Sequence, residues 1–138
     1  MKKVIVRLAN GLGNQLFTYA AAYSFAKKNN AKLYIDDESG FYKRNKYELH
    51  NFNITAPIIE KEYKFLNTFS RIKRKILIKL SKFNSNKKFL IEKKNNKKLC
   101  EYNPEQLNVS FNRNLYSIVG IAHACASSGV NNLIGNYL

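Results

Sequence analysis

The sequence has few cysteines, no tryptophan and no long apolar run. Its two cysteines, Cys100 and Cys125, form neither a disulfide framework nor a short zinc-binding spacing, and this suits a reducing cytoplasm. No stretch approaches the roughly 18 apolar residues of a membrane-spanning helix. The apolar run at 4–6 is too short for the core of a signal peptide. These absences predict a cytoplasmic protein.

Acidic residues are also scarce, with 9 Asp and Glu against 24 Lys and Arg, for a net charge of +15. Such an excess attracts nucleic acid, anionic lipid or nucleotide phosphate, but it does not choose among them. The preference for Lys over Arg and the abundance of Asn are also typical of a genome rich in A and T. The 138 residues suffice for one domain with its own core.

The clearest pattern is a predicted βαβ unit near the N-terminus. A buried strand is expected over 3–8, a helix over 14–28 and a second strand over 31–35. Within the helix, the residues expected to face the core are Leu16, Phe17, Ala20, Ala21 and Phe25. The unit predicts an α/β fold with a Rossmann-like parallel sheet.

The following segments are less regular. In 40–59, Leu49, Phe52 and Ile54 are expected in the core, and Pro57 ends the segment. Residues 60–82 predict a basic helix, and a short strand is expected over 89–91. The apolar stripe of the basic helix comprises Phe69, Ile72, Ile76, Leu80 and Phe83. The basic residues expected mostly on the opposite face are Arg71, Arg74, Lys75 and Lys82. Ile78 does not fit the stripe.

The composition changes near residue 116. All charged residues precede this point, and 117–138 contain none. A genuine protein surface normally carries charge. We therefore expect a Rossmann-like domain at 1–116 and an uncharged tail at 117–138. This tail is either an out-of-frame or truncated end, which we favour, or a buried segment of the same domain.

A glycine loop connects the first strand to the helix. Gly11 and Gly13 are expected to adopt positive φ and to let a ligand approach the backbone. The helix amides and dipole favour an anion or an oxygen-rich ligand there. Asn14 is expected to cap the helix, and Gln15 can donate to a sugar or phosphate oxygen. The alternative is an ordinary tight turn that binds nothing.

A nicotinamide- or flavin-binding unit is a further alternative. Gly11 and Gly13 fit its motif, and Asp36 lies about where a ribose-binding carboxylate is expected. Leu16, however, occupies the place of the third glycine, where close packing of helix on strand needs a small residue. The residues therefore disfavour this alternative.

The segment NGLGNQLFTYAAAYSFAKKNNAKLYID resembles the N-terminal motif of the alpha-1,2-fucosyltransferases, glycosyltransferase family 11. Asn10 and Thr18 depart from the residues usual in that motif, Gly and Gln. The segments KYELHNFNI and EYNPEQLNVSFNRNLY resemble two further, weaker motifs of the family in the same order. The resemblance covers about residues 3–116.

The resemblance implies the N-terminal half of a GT-B enzyme that transfers L-fucose from GDP-fucose to a galactose 2-hydroxyl of a bacterial surface glycan, without cofactor or required metal. It implies substrate contacts at Gly11, Gly13, Asn14 and Gln15. The family's later His-x-Arg-x-Gly-Asp motif, which would stabilise the diphosphate leaving group, is absent, since neither His50 nor His123 fits it. No catalytic residue is identified. The sequence thus predicts a truncated or frame-disrupted, inactive fragment.

The basic region 60–98, with 14 Lys and Arg against 3 Asp and Glu, has its own alternatives. The favoured one is a solvated helix whose apolar stripe packs on the core. A second is an interfacial helix that makes a peripheral contact with the inner membrane. A non-catalytic nucleic-acid-binding module is disfavoured, because no motif of that class occurs; no nucleic-acid partner is expected.

Overall fold

The computed structural model describes residues 2–41, 45–81, 89–91 and 115–119. The strands are β1 (Lys3–Arg7), β2 (Lys32–Asp36), β3 (Leu90–Ile91) and β4 (Leu115–Val119). The helices are α1 (Leu12–Lys28) and α2 (Thr68–Ser81), and 3-10 turns span Leu49–Asn51 and Lys61–Tyr63. The observed class is mixed α/β.

The four strands form one parallel sheet in the order β2-β1-β4-β3. In the pairing of β1 with β2, Lys3 lies opposite Lys32 and Arg7 opposite Asp36. The register between β1 and β4 shifts between Ile5 and Val6. The predicted strand, helix and parallel strand are confirmed, with boundaries that differ by one or two residues from the prediction.

Helix α1 ends in a Schellman motif. The backbone amide of Ala31 bonds to the carbonyl of Ala26 at 2.9 Å, and that of Asn30 bonds to the carbonyl of Lys27 at 3.2 Å. Asn30 has φ 49°, in the left-handed region that Asn tolerates better than most residues. The turn delivers the chain directly into β2, where Lys32 N bonds to Lys2 O at 2.9 Å.

The main core lies between one face of the sheet and α1. Alternate residues of β1 and its extension point into it, because successive side chains of a strand face opposite ways. The buried members are Val4, Val6, Leu8, Ala22, Phe25, Ala26, Leu33, Ile35 and Leu49. Arg7 therefore belongs to the opposite face of the sheet.

The buried face of α1 agrees with the predicted one only in part, since Ala21 and Phe25 are buried as expected and Leu16 packs against the core from a partly exposed position. Polar Gln15 and Thr18 are buried on it, together with Ala21, Ala22, Phe25 and Ala26. Leu16, Phe17 and Ala20 are only half-buried. The apolar pattern pointed to a neighbouring face because Gln15 and Thr18 are polar residues inside the core. Phe52 was also wrongly placed there, since it is exposed.

The prediction for the basic helix was wrong in extent and orientation. Residues 61–63 form a separate 3-10 turn, and α2 begins only at Thr68. Ser70, Arg74, Leu77 and Ile78 are its half-buried residues, so Ile78 fits the inner face and Arg74 does not lie on the outer one. The expected stripe instead faces outward, with Phe69 80% exposed and Ile72, Ile76 and Leu80 each more than half exposed.

The segment at Pro57–Ile59 runs beside the outer side of β2. Ile35 N bonds to Pro57 O, and Ile59 N bonds to Ile35 O, both at 2.9 Å. The contact is a single parallel bridge between Ile35 and Ile58. It supplements the sheet without adding a strand.

Strand β4 crosses the predicted domain boundary, because it continues from Leu115 to Val119. Residues 120–138, Phe83, Lys82, the cysteines, His123 and most of the segment EYNPEQLNVSFNRNLY lie outside the described residues. The division at 116 therefore stays a prediction.

Candidate functional site

The glycine loop lies at the carboxyl end of β1, the strand between β2 and β4. The chain passes from β1 to β2 on one side, whereas β4 lies on the other. This arrangement is a topological switch point, and in open parallel sheets ligands bind outside the strand ends at such a point. The fold thus places the loop where a ligand crevice is expected.

Asn10, rather than a glycine, holds the left-handed conformation in this loop, with φ 64°. Gly11 has φ −74°, and no glycine among the described residues has a positive φ. The expectation that Gly11 and Gly13 adopt positive φ is therefore wrong. Asn is one of the few residues with a side chain that enters the left-handed region readily.

The two glycines border open space. An ideal Cβ built on Gly11 or Gly13 meets no atom within 4 Å beyond its chain neighbours and its own helix backbone. Both residues are exposed. Packing therefore does not require a glycine at either position, and a ligand could approach the backbone closely.

The first turn of α1 presents backbone amides toward this space. Its first helical bond joins Gln15 N to Gly11 O at 3.1 Å, so the amides of 12–14 lie ahead of the helical ladder. Gly11, not Asn14, occupies the N-cap position, and no side chain caps the helix there. The expected capping role of Asn14 is wrong because the helix begins two residues before it.

Gln15 is fully buried and bonds to backbone on both sides of the loop. Its Nε2 donates to Asn10 O at 3.0 Å and to Lys46 O at 2.9 Å. Its Oε1 accepts from Glu48 N at 3.0 Å. In this geometry the carboxamide holds the loop against 46–48. The ligand contact predicted for Gln15 would require that segment to move.

Two tyrosines lie near the contact between Gln15 and the segment at 46–48. Tyr19 follows Gln15 by one helical turn, and Tyr47 lies within the segment that Gln15 holds. Burial raises the pKa of Tyr19, with further contributions from Tyr23 and Tyr47. Burial, and then the charge of Asp37, raises the pKa of Tyr47. Both phenols are therefore protonated at neutral pH and can donate hydrogen bonds.

The carboxylate of Asp36 serves the loop that follows β2. Its Oδ1 accepts from the amides of Glu38 at 3.2 Å and Ser39 at 2.9 Å, and its Oδ2 accepts from the Ser39 hydroxyl. Asp36 is 2% exposed. A ribose-binding carboxylate must reach solvent, so this geometry argues further against the dinucleotide-binding alternative.

The next two carboxylates bind Lys64. Its Nζ lies 2.6 Å from Asp37 Oδ1 and 2.8 Å from Glu38 Oε1. Burial alone lowers the pKa of Lys64, but the hydrogen bonds and charges of Asp37 and Glu38 outweigh it, so the pKa is raised. These bonds attach the turn before α2 to the end of β2.

A cavity of about 270 Å³ opens on the sheet face opposite α1. Its lining includes Arg7 from β1 and Arg71, Arg74 and Lys75 from α2. Among the described residues, no aspartate or glutamate lines it. Four cations therefore converge at the carboxyl end of β1, on the side away from the glycine loop.

Residues 2–41, 45–81, 89–91 and 115–119 hold no cluster of three or more His, Cys, Asp or Glu side chains arranged for a metal ion. In the same part of the chain, neither helix has the length and hydropathy needed to cross a bilayer. Exposed His50 lies beside the ring of Tyr47, with centroids 5.8 Å apart.

No family model, curated protein or solved structure matches the chain significantly. The family resemblance of the glycine loop therefore remains a proposal.

Sequence reasoning identified the glycine loop but missed the cavity. Arg7 and α2 are separated by more than 60 residues, and nothing in the pattern of β1 marked Arg7 as part of a site. The available signal was the run of four cations in 71–75. Their approach to Arg7 depends on how α2 lies on the sheet.

Proposed function

We propose that this chain forms the N-terminal, sugar-nucleotide-facing unit of a GT-B alpha-1,2-fucosyltransferase. The observation that carries the proposal is the open space beside Gly11 and Gly13 at the switch point of a parallel sheet. The backbone amides that precede the first helical bond suit the oxygens of GDP-fucose. Gly11, Gly13 and Asn14 contact the ligand, and Gln15 positions the loop.

The conformation of Asn10 also supports the proposal. The resembled family usually has glycine at this position, and φ 64° is a value that favours glycine or asparagine. The departure at Asn10 is therefore compatible with the same loop geometry.

The proposed role is binding, with transfer requiring further groups. A departing diphosphate must be stabilised by positive charge or aimed donors. The sequence lacks the His-x-Arg-x-Gly-Asp motif expected for this role. We therefore expect the chain alone to bind GDP-fucose without transferring fucose to a galactoside.

The test is calorimetric titration with GDP-fucose and GDP, using ADP as the comparison ligand. Gly11→Ala and Gly13→Ala should remain folded, because a Cβ meets no protein atom at either position. Both should lose at least about tenfold in affinity, because the methyl group blocks close approach and displaces aimed bonds. Ser24→Ala, on the same helix but remote from the loop, is the matched control.

Absence of GDP-fucose binding would refute the proposal, as would wild-type affinity in both alanine variants. A radiochemical transfer assay with a galactoside acceptor checks the second part. Fucose transfer by the chain alone would contradict the expected lack of leaving-group stabilisation.

The exposed stripe of α2 favours a second function, attachment to an anionic membrane surface. Phe69, Ile72, Ile76 and Leu80 face outward, and the helix carries five Lys and Arg with no acidic residue. Inserted aromatic and aliphatic side chains contribute about 1.5–3 kcal/mol each, and each nearby cation adds about 1 kcal/mol. This combination fits anionic lipid.

Co-sedimentation with vesicles tests this second function. Phosphatidylglycerol vesicles should retain the protein, whereas pure phosphatidylcholine vesicles should not. The double variant Phe69→Ser with Ile76→Ser should reduce partitioning at least about tenfold, since it removes the apolar contribution. Phe52→Ser, an exposed phenylalanine outside α2, should not. Membrane attachment would be excluded if the double variant partitioned like the wild type. It would also be excluded if the protein bound DNA but no vesicles.

A further inference from the structure

We propose that three tyrosines beside the glycine loop form a subsite for a pyranose sugar. This tyrosine patch comprises Tyr19 and Tyr23 of α1 and Tyr47 of the segment that Gln15 holds. The inference rests on the proposed function only in identifying the sugar as the galactoside acceptor.

The aromatic groups of the patch are neighbours in space. Tyr19 and Tyr23 are one helical turn apart, with ring centroids separated by 6.1 Å and an interplanar angle of 29°. Tyr47 lies close enough to Tyr19 to contribute to its raised pKa. The ring of exposed His50 lies 5.8 Å from that of Tyr47. The patch therefore spans α1 and the segment at 46–50.

The patch adjoins the glycine loop. Helix α1 rises about 1.5 Å per residue, so the backbone of Tyr19 lies about 9 Å along the helix from Gly13. The bonds of Gln15 to Lys46 O and Glu48 N lie on either side of Tyr47 and fix the backbone that carries its ring. This spacing lets a sugar on the patch reach a ligand bound at the loop.

The hydroxyls of Tyr19 and Tyr47 supply polar contacts. Both residues are half-buried and pack against the core. Among the residues that the structure describes, neither hydroxyl bonds to another protein group. Both phenols have a raised pKa and are protonated at neutral pH, so each can donate one hydrogen bond and accept others. Sugar hydroxyls have the same capacity.

The ring of Tyr23 supplies the apolar contact. It is 39% exposed, and its neighbour Tyr19 restricts its orientation. A pyranose has an apolar face of C–H groups and a rim of hydroxyls. Aromatic rings with a few convergent polar groups complement both parts, because the ring packs on the C–H face and the phenols bond to the rim. The patch therefore suits a pyranose.

Titration with methyl β-galactoside, followed by NMR, tests the subsite. A dissociation constant of about 1 mM is expected for a ligand of this size. Sorbitol is the comparison ligand, because it carries similar hydroxyls without a ring face. It should show no saturable binding.

Variants of the three tyrosines test the contacts. Tyr19→Phe and Tyr47→Phe remove one hydroxyl each, keep the ring and should weaken galactoside binding about threefold to tenfold. Tyr23→Leu removes an exposed ring, should weaken binding about fivefold, and decides the matter if the phenylalanine variants do not fold. Tyr34→Phe makes the same change on the sheet face away from α1 and should alter affinity less than about twofold.

GDP-fucose titrations of the same variants separate this inference from the proposed function. GDP-fucose binding without saturable galactoside binding would overturn the subsite and leave the proposed function standing. Galactoside binding without GDP-fucose binding would support the subsite and refute the proposed function. Equal galactoside affinities in Tyr47→Phe, Tyr23→Leu and Tyr34→Phe would overturn the inference. So would an equal loss of GDP and galactoside affinity in Tyr23→Leu, because the ring would then contact the nucleobase.

Discussion

Replacing Gln15 with leucine tests whether one buried carboxamide holds the glycine loop to the segment at 46–48. Gln15 is fully buried, and leucine has a similar volume without polar atoms. The change leaves the carbonyls of Asn10 and Lys46 and the amide of Glu48 without their present partner. The fold should persist, but the contact between the glycine loop and the segment at 46–48 should be weaker.

The expected cost follows from the three lost bonds. Each contributes about 1 kcal/mol net, for a total of about 3 kcal/mol, and burial of the leucine returns about 1 kcal/mol. A net loss of about 2 kcal/mol in the free energy of unfolding should lower Tm by roughly 6–10 °C for a chain of this length. Asn14→Leu, at the preceding half-buried position, should change stability by less than about 0.5 kcal/mol.

Thermal unfolding followed by circular dichroism measures the stability. Hydrogen exchange provides a local measurement, because the Glu48 amide should lose protection in Gln15→Leu but keep it in Asn14→Leu. A Gln15→Leu variant with wild-type Tm and a protected Glu48 amide would refute the assignment of Gln15 as the positioning residue.

Three further predictions concern the loops around this site. Asn10→Gly should leave stability within about 0.5 kcal/mol of wild type, whereas Asn10→Ala should cost about 1 kcal/mol because φ 64° disfavours alanine; equal urea midpoints would contradict this. Gly40→Ala should cost more than about 3 kcal/mol or prevent folding, because its Cβ would lie 1.7 Å from Leu8 O, while Gly13→Ala should be stabilising by up to about 1 kcal/mol; the two Tm values are compared directly. Lys64→Met should cost about 1 kcal/mol at pH 7, given its partly exposed partners. Because the folded pKa of Lys64 is raised, the stability that its charge contributes is fully present below the unfolded pKa of about 10.4 and is lost as pH rises through the folded pKa. Urea unfolding at alkaline pH should therefore show a loss of stability in the wild type that Lys64→Met lacks, and an equal loss in both proteins would contradict this.

The N-terminal strand, helix and strand could be predicted because their patterns are local. Val4, Ile5 and Val6 form a short buried apolar run that is typical of a strand in a parallel sheet, and Asn30 ends the helix as its residue type favours. The buried face of α1 could not be read in the same way. Hydrophobic periodicity ignores Gln15 and Thr18, whose burial depends on polar partners or on neighbours distant in sequence.

Helix α2 shows the opposite limitation. Its most regular apolar stripe is exposed, while its half-buried face includes Arg74. Periodicity shows that a helix has an apolar side, but it does not show which surface that side meets. The location of the glycine loop was predictable from the βαβ order, whereas the cationic cavity depends on a long-range approach between Arg7 and α2.

The single bridge along β2 has a consequence for self-association. The outward amide and carbonyl of Ile35 are already bonded to Pro57 and Ile59. A strand from another molecule could not pair with Ile35 unless this segment left first. The segment at Pro57–Ile59 thus limits growth of the sheet into intermolecular aggregates on this side.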